Sequence, residues 1–78
     1  MVSKNLFELE QGDVIRVLYG DFDNWVNAVF DSFAIDDFGV CIYWHAIGKT
    51  DKRTMWTIHC SNGIYHDVIG REEDFLNL

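Results

Sequence analysis

Seventy-eight residues, half of them apolar and twelve aromatic, make a single domain over residues 1–78, one small enough to bury only about 60% of the surface its unfolded chain exposes. That much hydrophobe excludes a disordered chain, and no apolar run approaches the roughly 20 residues of a membrane-spanning helix. Thirteen acids against six bases give a net charge of −7, which repels a nucleic-acid backbone and favours basic partners.

The opening Met-Val-Ser-Lys-Asn-Leu carries neither a long apolar segment nor a small-residue cleavage site, so a cytoplasmic location is the expectation. Lys4 to Gln11 is a short amphipathic lead-in, helical or extended. Gly12-Asp13 signals a turn, and Val14 to Tyr19 is rich enough in β-branched residues for a first strand. Gly20 and Asp21-Phe22-Asp23-Asn24 then interrupt it.

The stretch from Trp25 to Trp44 reads as a hairpin around the turn Asp36-Asp37-Phe38-Gly39. As a strand, its first arm places Val26, Ala28 and Phe30 on one face. A bulge at Ser32 then returns Phe33 and Ile35 to that face. As a helix, Trp25, Val26, Val29, Phe30 and Phe33 share one side, with Asp23 as N-cap. The density of Val, Phe, Trp and Ile between tight turns favours the strand. In the second arm Val40, Ile42, Trp44 and Ala46 share a face, opposite Cys41, Tyr43, His45 and Ile47.

After the polar loop 48–54, a further strand runs from Met55 to Cys60. Ser61-Asn62-Gly63-Ile64 is the signature of a two-residue type I′ hairpin. It sets Cys60 opposite Tyr65, His59 opposite His66, and Thr57 opposite Val68. The tail from Gly70 is a turn followed by a short helical segment in which Phe75 and Leu78 close one end of the core. The expected fold is therefore all-β: a five-stranded antiparallel meander forming a small SH3-like barrel with a short C-terminal helical turn. The alternative is α+β, with residues 23–33 as a helix packed on a three- or four-stranded antiparallel sheet.

Gly12-Asp13, Val14 to Tyr19, Asp21 to Trp25, Ala28 and Phe30, together with Ile42-Tyr43-Trp44, resemble the first three strands of Tudor and agenet domains. The likeness covers about residues 12–44. It implies an SH3-like barrel that holds a methylated Lys or Arg tail in an aromatic cage. Carried across, it makes Tyr19 and Trp44 cage members. The other two cage positions fall near Val26 and Ile47, which are aliphatic, and the Asn-Gly hairpin departs from the family's 3₁₀ link between its last two strands.

Catalytic chemistry finds little support. The carboxylates lie mainly in turns, and the six glycines are scattered turn residues rather than a phosphate loop. Neither Cys41 nor Cys60 stands in a nucleophile motif, and both are expected as free thiols. Cys41, His59 and His66 would form a zinc-ligand set if the loop after Gly48 paired Cys41 with His59, His45 lying further along that face. Their spacing is that of sheet neighbours rather than a metal motif, and no cofactor is expected. One basic loop (Lys49, Lys52, Arg53) against thirteen acids argues against direct nucleic-acid binding.

Between Val17 and Gly48 stand five aspartates and no Lys or Arg. The expected function is a non-enzymatic protein-binding module, an acidic stand-alone interaction or inhibitor protein that engages the basic surface of a larger partner and imitates nucleic-acid charge. Its contact residues are read as Tyr19, Asp21, Phe22, Asp23, Trp25, Asp36, Asp37 and Trp44, aromatic anchors within a polar rim. The alternatives are a Tudor-like reader of a modified basic peptide or a small-barrel nucleic-acid-binding protein.

Overall fold

The computed structural model describes residues 2–18, 25–56 and 65–76. Six strands form one sheet: β1 (Val2–Asn5), β2 (Asp13–Leu18), β3 (Trp25–Asp36), β4 (Gly39–Ala46), β5 (Arg53–Trp56) and β6 (Tyr65–Arg71). A 3₁₀ turn, Leu6–Glu8, follows β1, and a helix, α1 (Glu72–Leu76), follows β6. The all-β reading with a short C-terminal helix holds, and the segment from Trp25 is a strand rather than a helix.

The five-stranded meander needs correction. Only β2 to β5 follow one another as neighbours, and the sheet order is β1-β6-β2-β3-β4-β5. The N-terminal lead-in contributes a strand, and β6 crosses the sheet to lie antiparallel to both β1 and β2. Val68 accordingly partners Val2 and Ile15. A strand has two edges, so those pairings leave none for the anticipated partner Thr57. The Asn62-Gly63 turn itself lies outside the described residues.

Strand alternation builds the core. Ile15 and Val17 of β2, Ala28 and Phe30 of β3, Ile42 and Trp44 of β4 and Met55 of β5 cluster with Leu6 and Leu9. Facing residues in the ladder, such as Phe30 with Trp44, share that face. Each large side chain so buried contributes roughly 1.5–3 kcal/mol. Leu6 and Leu9, from the segment after β1, join the strand side chains on that face.

The β3–β4 ladder is regular from Ser32 to the turn, with Phe33 opposite Ile42, Ile35 opposite Val40 and Asp36 opposite Gly39. Its register shifts between Phe30 and Ser32, so Asp31 is the extra residue of a bulge. The bulge stands one residue before the expected Ser32, which instead pairs with Tyr43, and it returns Phe33 and Ile35 to the face of Phe30. At the tip the Asp36 side chain accepts a 2.7 Å hydrogen bond from the Phe38 backbone N–H, and Gly39 takes φ 124°, a conformation that suits glycine.

The second face is covered locally by α1. Val14 and Val29 pair with each other on that face and are buried, and Val14 also pairs with Gly70. A Cβ on Gly70 would stand 3.2 Å from the Phe75 ring, and one on Gly48 would stand 3.4 Å from Leu76. The helix therefore lies over β6 and the end of β4. No helix among the described residues is long and apolar enough to cross a membrane.

Candidate functional site: an aromatic hairpin arm and a histidine clasp

β3 is twelve residues long, whereas its ladder with β2 ends at Val29. Past the pair of Phe33 with the core residue Ile42, the end of its hairpin with β4 forms an arm that runs to the turn. Ile35 is 61% and Phe38 86% exposed. Phe33 is also exposed, and its ring meets the exposed Phe7 ring edge-on at a centroid distance of 5.4 Å. Phe7 is presented by the 3₁₀ turn, whose start is capped by Asn5: its side-chain oxygen accepts from the Phe7 N–H at 2.9 Å. Asp36 and Asp37, both exposed, sit at the tip beside Phe38. The arm thus offers an apolar row ending in an acidic, aromatic tip.

The anticipated contact residues do not gather in one place. Asp36 and Asp37 lie at one end of β3, and Trp25 opens the other end opposite Leu18. Eleven strand steps of about 3.3 Å separate Trp25 from Asp36 by roughly 35 Å. Tyr19, Asp21, Phe22 and Asp23 lie outside the described residues. Trp44 is a correction: it is only 9% exposed and belongs to the core. The Arg53 guanidinium lies 5.5 Å from its ring centroid. A ring closed between core and guanidinium has no free face for a methylammonium group.

The metal-ligand set does not assemble either. Cys41 is a buried free thiol opposite Trp56, not His59. His66 pairs with Lys4 on β1, and three strand intervals separate its strand from that of Cys41. Far from facing solvent, His66 is 1% exposed, and burial pushes its pKa below 6.5 against a weaker opposite pull from Asp67. His59 lies outside the described residues. Among the described residues no group of three or more His, Cys, Asp and Glu is placed to hold a metal ion.

At the base of the arm is an arrangement that sequence reasoning missed. His45 Nδ1 lies 2.9 and 3.1 Å from the two carboxylate oxygens of Asp31, the bulge residue, and its Nε2 lies 2.9 Å from Glu72 Oε2. The same Glu72 oxygen accepts from the Gly48 N–H at 3.2 Å. The Asp31 hydrogen bond chiefly raises the His45 pKa above 6.5; partial burial opposes it and Glu72 adds to the rise. With both ring nitrogens facing carboxylates, the imidazolium is the form that donates to both. Beside the clasp is an open cleft of about 580 Å³ lined also by Gln11, Ser32, Lys49, Thr50 and Lys52.

A third polar cluster is structural. Asp13, buried where β2 begins, accepts from the Glu10 N–H at 2.9 Å and from Arg71 Nη1 at 2.8 Å. Arg71 Nη2 also donates to the Gln11 carbonyl at 2.8 Å. Burial works to raise the Asp13 pKa, but these bonds, with Lys4 nearby, outweigh it and hold the carboxyl below its usual value. The cluster ties the first turn to β6.

Compared with family models, with curated proteins and with solved structures, the chain matches none.

Proposed function

We propose that this chain is a non-enzymatic protein-binding module that inserts the tip of its β3–β4 arm into a basic surface of a larger protein. The observation that carries the reading is the exposure of Ile35 and Phe38 next to Asp36 and Asp37. Clustered apolar side chains rimmed by polar ones are what interaction sites present. Phe38 and Ile35 serve as the anchors, with Phe33 braced from behind by Phe7. Aspartates beside them, on a chain of net charge −7, select a cationic partner and steer its approach. A protein whose cationic surface ordinarily holds nucleic acid fits that description, and the module would then compete with nucleic acid for it.

The test is capture of a host-cell partner by immobilised wild-type chain, alongside Asp36→Asn/Asp37→Asn and Ile35→Ser/Phe38→Ser variants. Both variants change exposed residues, and their unfolding midpoints are compared with wild type before capture is read. The reading expects one basic protein retained by wild type, released by moderate salt and lost from both variants. Equal retention by all three overturns it.

A further inference from the structure

His45 joins three parts of the fold: its own strand β4, the bulge of β3 through Asp31, and the first residue of α1 through Glu72. Backbone bonds close the same circuit. The Gly12 N–H donates to the Phe30 carbonyl at 2.9 Å, and the Glu72 N–H donates to the Gly12 carbonyl at 2.9 Å. The helix start is therefore held to the base of the arm by one imidazole and one turn, while Phe75 and Leu76 lie against Gly70 and Gly48 further along it. We propose that the Asp31–His45–Glu72 clasp is a proton-operated latch, which holds α1 against the sheet when His45 is charged and releases it when His45 loses its proton. This goes beyond the binding reading and stands without it.

A neutral imidazole keeps one N–H and turns a lone pair toward the other carboxylate, so one of the two contacts must fail. The asymmetry of the site selects which. Asp31 engages Nδ1 with both its oxygens and its side chain is 13% exposed, whereas Glu72 offers one oxygen and is 24% exposed. The proton leaves from Nε2, and the Glu72 carboxylate, the more easily rehydrated, swings away. The other charged groups at this place are Lys49 and Lys52, which line the cleft beside Glu72; Glu73 on α1 is exposed, and Asp74 accepts from the Arg71 N–H at 3.0 Å. The two lysines are the cations to which a freed Glu72 turns. Release also frees the Gly48 N–H and leaves the helix start on its backbone bond to Gly12.

A histidine whose pKa rises on folding adds stability that is complete below pH 6.5 and vanishes as pH climbs through its folded pKa. The latch is thus closed on the acid side and open on the alkaline side of that value. The deciding experiment follows the full chain by NMR across neutral to alkaline pH, reading the His45 ring, the Gly48 and Glu72 amide shifts and the exchange protection of the Gly48 amide. The latch requires His45 to titrate above pH 6.5 with both amides shifting at the same midpoint. The Gly48 protection factor should fall by at least about tenfold, as expected for loss of one charge-assisted hydrogen bond. Glu72→Gln should lower the His45 midpoint and abolish the amide steps. Should that variant not fold, the wild-type titration still decides. Amides that stay flat while His45 titrates, or a His45 midpoint at or below 6.5, overturn the proposal.

Discussion

Among the described residues, His66 and Asp13 are the two buried polar side chains through which pH acts on stability. His66 Nε2 is buried and has no hydrogen-bond partner among the described residues, and burial disfavours the charged ring in the folded chain. Below pH 6.5 the unfolded chain takes up a proton more readily than the folded one, and stability falls as the pH drops towards the lower folded value. Replacing His66 with Phe removes both the orphaned atom and the titration. The variant is expected to gain stability relative to wild type on going from pH 7 to pH 5, read as the change in urea midpoint; an equal pH dependence in both would contradict the assignment. Asp13 acts the other way round. Its contribution is complete above the ordinary carboxylate pKa and is lost as pH falls through its lower folded value. Asp13→Ala strips the acceptor from Glu10 N–H and Arg71 together. Since Arg71 is partly in solvent, the loss is about 2 kcal/mol by denaturant unfolding rather than that of a fully buried pair.

Among the elements, the turns at Gly12 and Gly39 separate strain from crowding. Gly39 has φ 124° with nothing near the position a Cβ would take, so alanine there costs conformational strain alone, about 1–2 kcal/mol. Gly12 has φ 96°, and its Cβ would stand 2.8 Å from Arg71 Nη2, an atom already fixed on the Gln11 carbonyl. Gly12→Ala is therefore expected to destabilise more than Gly39→Ala in urea titrations, and a reversed order would contradict the packing described for the first turn. Much at this scale was legible from residue pattern. Val26, Ala28 and Phe30 do share the core face, and the bulge does return Phe33 and Ile35 to it. From that hairpin register, Asp31 and His45 also fall side by side, a neighbourhood the residues alone contained. Glu72 was not recoverable in the same way, because its place depends on β6 crossing to β2, and a local turn signal says nothing about so distant a pairing.

At the scale of the whole molecule, the described fold is elongated, with a greatest extent of 39 Å against 24 Å in the other two directions. Alternation identifies which residues share a face, but not where neighbouring strands stop. This is why Trp44, in the middle of β4, proved a core residue, whereas Phe38 and Ile35, beyond the end of the β2 ladder, lie open. The acidic tip was visible as Asp36-Asp37, and its anchors were not. That tip is the proposed binding element, and interface energy concentrates in few aromatic anchors. The direct measurement is the affinity of the captured basic partner for wild type and for Phe38→Ala by isothermal titration, with thermal unfolding of both chains recorded alongside. The arm reading predicts at least about a tenfold weaker Kd for Phe38→Ala at an unchanged unfolding temperature. An unchanged Kd would contradict it.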